Sequence, residues 1–192
     1  MAVQLNDPED TLTPLLNPGS VAIIGASDDQ TRIGGRPLRY MRDAGFNGHL
    51  YPVNPNRESV QGLPAFASIT DVPDPIDTAI IAVPAPAVVE TTEACAAAGV
   101  KAVIIFSAGF AEMGDDGRRH QTAIGQIARS TGMRIVGPNC LGVYNANHGF
   151  FGTFTSEWPT MTPFFTDQYF FSPDDHPSRL LPLNRVVSVR GS

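Results

Sequence analysis

The sequence predicts an α/β fold, a Rossmann-like doubly wound parallel sheet of about five strands with an irregular C-terminal tail. Three observations predict it. Strand-like and helix-like segments alternate from residue 20 onward. The strand-like runs are continuously apolar, as expected where a parallel strand is buried on both faces. Glycine, proline and asparagine cluster just after these runs, at the carboxyl edge where such sheets hold their ligands.

The elements follow in order. Val21 to Gly25 is the first strand. Arg36 to Ala44 reads as a helix with Leu38, Met41 and Tyr40 inward, stopped by Gly45. His49 to Val53 is the second strand, ended by the turn Asn54-Pro55-Asn56. A short extended piece at Leu63 to Phe66 precedes a third strand, Thr78 to Val83, which Pro84 terminates. Ala87 to Ala98 is an alanine-rich helix closed by Gly99, and Lys101 to Phe106 is the fourth strand. Asp115 or Asp116 caps a helix running to about Ser130, and Met133 to Val136 is the fifth strand. The crossovers must be right-handed, which makes the sheet doubly wound.

Residues 1–15 read as an N-terminal extension, 16–156 as the domain and 157–192 as the tail. In the tail Trp158, Phe164, Phe165, Tyr169, Phe170 and Phe171 are interrupted by prolines, and neither period can be traced. It reads as irregular or poorly ordered, or as the remnant of a truncated larger protein.

Bulk properties narrow the function classes. The 192 residues suit one domain plus an appendage or two very small domains, and 42% hydrophobic with 17% charged residues is ordinary for a soluble protein. A formal net charge of -6 argues against a nucleic-acid partner. No apolar run reaches the length of a membrane span. Asp7, Glu9 and Asp10 occur early with no basic-apolar leader, unlike a signal peptide. Cys95 and Cys140 make no disulfide framework, which points to the cytoplasm, and His49, His120, His148 and His176 lack metal-ligand spacing.

The candidate site lies at the strand ends. Gly25-Ala26-Ser27, a polar loop and Gly34-Gly35 lack the G-x-G-x-x-G fingerprint but have the strand-loop-helix context. Ser27 and amides near Gly34 and Gly35 suit a phosphate or pyrophosphate at a helix start; a turn serving only the fold is the alternative. The second strand ends without the Asp or Glu that holds the ribose of NAD. Arg57 beside that turn favours an extra phosphate, as on NADP or on the 3′-phosphorylated ribose of coenzyme A, or is a solvated surface arginine. Val83 and Pro84 form an apolar lip suited to a purine ring, or a plain helix start with Pro86 in its first turn. Ser107 lacks the G-x-S-x-G elbow, so a hydrolase is rejected. Cys140 is a reactive thiol or a buried structural cysteine.

Taken in order, Val21 to Ser27, Tyr51 to Pro55, Ala82 to Pro86, Phe106 to Glu112 and Gly137 to Gly142 resemble the coenzyme A-binding domain of the NDP-forming acyl-CoA synthetases. That family includes the ADP-forming acetyl-CoA synthetases and is related to the succinyl-CoA synthetase α subunit. The resemblance covers roughly residues 15 to 155. It implies that Gly25, Ala26 and Ser27 meet the phosphates of coenzyme A, that Asn54 and Pro55 lie by the nucleotide, and that Val83 and Pro84 border the adenine. Ser107, Ala108, Gly109, Pro138 and Asn139 would line the path of the pantetheine arm. Many relatives carry a lysine after the Asn-Pro turn, where this chain has Asn56 and Arg57. The resemblance further implies a complete enzyme that forms an acyl phosphate from an acid and ATP and passes the acyl group to coenzyme A through a phosphohistidine relay. ATP or ADP with Mg would bind to further domains, an ATP-grasp module and a phosphohistidine segment, separately encoded or missing here. His176 does not match the phosphohistidine region. The rival readings are a nicotinamide dinucleotide-binding module and a free-standing sensor with the aromatic tail as its docking segment.

Overall fold

A computed structural model describes residues 8–156 and the backbone of residues 187–190. In chain order the elements are α1 (Pro8–Leu16), β1 (Ser20–Ile24), α2 (Arg36–Asp43), β2 (His49–Val53), the short β3 (Ser59–Val60) and β4 (Leu63–Pro64), β5 (Thr78–Ile81), α3 (Ala85–Ala97), β6 (Ala102–Ile105), α4 (Asp115–Thr131), β7 (Arg134–Val136), β8 (Cys140–Asn145), β9 (Phe150–Thr153) and β10 (Val187–Arg190).

Five of the strands form one parallel sheet in the order β2-β1-β5-β6-β7. From β1 the chain crosses to β2 on one side, then resumes from β5 toward the other, so right-handed crossovers place α2 on one face and α3 and α4 on the opposite face. Every residue of β1, β5 and β6 is buried. Their side chains alternate between two cores. Val21, Ile23, Ile80 and Ile104 pack with Leu38, Tyr40 and Met41 of α2. Ala22, Ile24, Ile81, Val103 and Ile105 pack with Val88 and Cys95 of α3 and Ile124 of α4. Each fully buried large aliphatic side chain contributes about 1.5–3 kcal/mol, so continuous apolar runs become central strands.

The helix ends follow their chemistry. α2 and α3 stop in the same motif. The Gly45 and Phe46 amides donate to the Arg42 and Met41 carbonyls, and the Gly99 and Val100 amides to those of Ala96 and Cys95. Gly45 and Gly99 take the left-handed conformation this closure requires, with φ +68 and +75. α3 begins at Ala85, earlier than the sequence predicts, with Pro84 as its N-cap. Pro86 then sits in the first turn, where a missing N–H is harmless.

Elements absent from the sequence reading complete the first core. β8 and β9 form an antiparallel pair, placing Val143, Phe150 and Phe151 against the α2 face. Glycines mask their alternation: Gly142 and Gly152 lie within the strands, and the Cα partners run Gly142–Thr153 and Val143–Gly152. With no side chain at these positions the two-residue period cannot be read. α1 packs Leu15 into the same core, and its Leu16 carbonyl accepts from Asn145 Nδ2 at 3.0 Å. Apart from residues 187–190, the tail expected to be irregular lies outside the described residues. The backbone of β10 pairs antiparallel with β8.

Candidate functional site

The register of the parallel sheet lines up the strand ends. Ile24 is level with Val53 and with Ile81, Ile81 with Ile105, and Ile104 with Val136. The residues that follow (Gly25, Asn54, Ala82, Phe106 and Gly137) therefore share one edge. β1 lies between β2 and β5, where the winding direction reverses, and the crevice outside such a reversal is where open α/β sheets bind ligands. The ligand-contact residues assigned from sequence, from Gly25 to Asn139, lie on this edge or in loops leaving it.

On the β1 side, Gly25 has φ +85, and an added Cβ would stand 2.5 Å from the Ala82 carbonyl oxygen. A Cβ on Gly34 would run into the Gly25 carbonyl, and one on Gly35 into that of Asp29. These glycines let protein backbone pack on protein backbone, the turn-forming role weighed from sequence. Several loop amides are likewise engaged internally. Gly25 and Ala26 donate to the Val53 carbonyl, Ser27 to that of Gly34, and Gly35 to that of Arg32. The Ser27 hydroxyl accepts from the Asp29 amide at 3.1 Å, which leaves its own proton to give.

The loops are stitched to one another. Asn54 Nδ2 donates to the Ala26 carbonyl at 2.8 Å, while its Oδ1 accepts from the Asn56 amide and so shapes the Asn-Pro-Asn turn. Exposed Arg57 stands 3.7 Å from Asp28, and exposed Arg32 3.4 Å from Asp29. Ion pairs this exposed are worth under about 1 kcal/mol and exchange readily for another anion.

Sequence reasoning misses Gln61. It sits in the two-residue turn between β3 and β4, where its amide donates to Asp28 Oδ1 and its carbonyl accepts from Arg42. Its Nε2 lies 2.9 Å from both the Ser27 and the Gly35 carbonyl. The available signal was Gln61-Gly62 between two short apolar pieces, a hairpin turn.

The other side of the rim is joined in the same way. Ser107 Oγ donates to the Val83 carbonyl at 2.5 Å, and the Asn139 amide donates to the Ser107 carbonyl at 3.0 Å. Val83 is half-buried beside exposed Pro84, and Ala108, Asn139 and half-buried Pro138 follow along the edge. The Gly109 amide donates to Glu112 Oε1 at 2.7 Å, and backbone amides of this turn hold the Glu112 carboxyl below its usual range. Cys140 is buried: its thiol donates to the Ile105 carbonyl at 3.3 Å, and desolvation pushes its pKa up to about 11. Burial likewise raises Cys95 to about 12. Of the two readings of Cys140, the geometry is that of a structural cysteine.

Residues 19–146 match the family described as CoA binding domain. The chain belongs to that family. An acetate–CoA ligase [ADP-forming] II of Archaeoglobus fulgidus is 43% identical over 143 residues, which cover 74% of this chain and 21% of the relative. An acetate–CoA ligase [ADP-forming] II subunit alpha of Pyrococcus furiosus is 41% identical over 138 residues, 72% of this chain and 30% of that protein. The solved dinucleotide forming acetyl-coenzyme A synthetase 1 of Ca. Korarchaeum cryptofilum, in complex with phosphate and ADP, superposes with a TM-score of 0.70 at 37% identity, over 74% of this chain and 30% of its own. This CoA-binding domain chain thus spans between a fifth and a third of the length of these relatives. Among the described residues no helix is long and apolar enough to cross a membrane, and no three His, Cys, Asp or Glu side chains group as metal ligands.

Proposed function

We propose that this chain binds coenzyme A across the carboxyl edge of the parallel sheet and presents its thiol to an acyl donor made elsewhere in an NDP-forming acyl-CoA synthetase. The family match over residues 19–146 carries the reading, and the rim supports it. Gly25, Ala26, Ser27, Gly34 and Gly35 form the pyrophosphate end, with the Ser27 hydroxyl proton as a donor. Because several loop amides already have protein acceptors, Ser27 and the arginines carry more of the anion contact than a bare glycine loop would. Asn54 and Pro55 flank the nucleotide, and Arg57 exchanges Asp28 for the 3′-phosphate. Val83 and Pro84 face the adenine, while Ser107, Ala108, Gly109, Pro138 and Asn139 guide the pantetheine arm.

The chemistry assigned to this chain is positioning. Fixing the thiol at the mouth of the sheet makes the later acyl transfer effectively unimolecular. ATP, ADP and Mg are assigned to phosphohistidine and ATP-grasp domains beyond this stretch. The P. furiosus relatives named as α subunits support separate encoding of such parts. Buried, unpaired thiols at Cys95 and Cys140 suit a cytoplasmic protein.

Calorimetric titration of the chain with coenzyme A, dephospho-coenzyme A and NADPH tests the reading. Saturable binding of coenzyme A, weaker binding of the dephospho form and none of NADPH is expected. Preference for NADPH would replace the reading with a nicotinamide-binding module.

A further inference from the structure

Gln61 stands where its residue type is least comfortable. With Gly62 it forms the two-residue connection between β3 and β4, both at positive φ, +51 and +81. That is the pattern of a type I′ hairpin, whose first position favours Asn, Asp or Gly. A longer side chain held there is strained, and such strain persists only where the surroundings over-determine it. The side chain carries a second penalty, since Gln61 Oε1 is buried with no hydrogen-bond partner among the described residues. What the residue gains is reach. Its Nε2 donates at 2.9 Å to both the Ser27 and the Gly35 carbonyls, the two ends of the loop that folds over from β1 to α2. Two carbonyl acceptors also fix which way the amide points, because only the NH2 group can face them. The Gln61 main chain adds a third tie to that loop through Asp28. Arg42 of α2 holds the Gln61 carbonyl at 2.6 Å.

We propose that Gln61 is a positioning residue: it clamps the loop 26–35 in the shape that receives the ligand's phosphates, although it lies outside that loop, in the β3–β4 hairpin. The proposal rests on the coenzyme A reading and goes further, since it makes ligand affinity depend on a side chain that never touches the ligand. Asn is the informative replacement because it suits the turn backbone better and is one methylene too short to bridge the two carbonyls. Gln61→Asn should therefore keep or raise Tm while the loop loosens. Gln61→Glu keeps the length but sets a carboxylate against two carbonyl oxygens, and should loosen the loop as well.

The test is amide hydrogen exchange on the free chain, followed by titration with coenzyme A. The Ser27 and Gly35 amides, held by Gly34 and Arg32, should exchange about tenfold faster in Gln61→Asn, the worth of one to two neutral hydrogen bonds. The dissociation constant for coenzyme A should rise by a similar factor, with Tm unchanged or higher. Unchanged exchange in both variants would overturn the clamp. So would faster exchange with undiminished affinity, or an affinity loss that merely follows a fall in Tm. If the wild-type chain ignores coenzyme A, the ligand reading fails on that result, and the exchange arm still decides the clamp.

Discussion

Arg57 and the two cysteines turn the account into single-site outcomes. If Arg57 trades its 3.7 Å partner Asp28 for the 3′-phosphate, Arg57→Ala should weaken coenzyme A by up to about fivefold, the worth of an exposed ion pair. Binding of dephospho-coenzyme A should not change, and equal losses for both ligands in a titration would remove Arg57 from the site. For the thiols the sign is set by burial, which disfavours the thiolate and raises Cys140 to about 11 and Cys95 to about 12. At pH 8 the folded chain should react with iodoacetamide much more slowly than a free cysteine, and mass spectrometry should find modification following unfolding. Rapid labelling of native Cys140 would contradict its place in the core. The sequence raised these questions about Arg57 and Cys140 and could not answer them, because each answer depends on what the fold brings alongside: Asp28 in one case, the Ile105 carbonyl in the other.

The loops and strands carry their own tests. The Glu112 carboxylate accepts the Gly109 amide and has a lowered pKa for that reason. A depressed acid stabilises the turn above its ordinary value of 4.5, and that support is lost as pH falls through the lower folded value. Acid titration followed by NMR should show the Gly109 amide losing protection below that value. In Glu112→Gln the acid step at this turn should be absent. Strands β8 and β9 supply Val143, Phe150 and Phe151 to the core, about 5–9 kcal/mol of burial and comparable with the whole stability of a domain. A chain ending at Val136 should therefore lack a cooperative thermal transition. One ending at Ser156 should keep its fold and its ligand, and loss of both would draw the tail into the domain. The central strands were legible because burial on both faces leaves an unbroken apolar signature. β8 and β9 were not, because a glycine within each strand erases the alternation, and the β3–β4 hairpin is too short to have a period.

Across the fold, topology does for the site what no single motif does. Loops from distant parts of the chain are brought to one edge by a parallel register and joined there: Asn54 to Ala26, Ser107 to Val83, Asn139 to Ser107. The positions on that edge were readable from sequence because turn residues must follow parallel strands. Their partners were not readable, and Gln61 escaped notice because its role is fixed by a carbonyl pair elsewhere in the chain. The two faces of the sheet are closed by α2 with β8 and β9 on one side and α3 with α4 on the other, and the proposed ligand surface is the edge of strand ends. Coenzyme A is proposed to occupy that edge. A crystal structure of the chain soaked with coenzyme A should place the pyrophosphate at Ser27, the adenine against Val83 and Pro84, and the pantetheine arm past Ser107 and Asn139. Coenzyme A ordered anywhere else, or that edge left bare at saturating concentration, would contradict it.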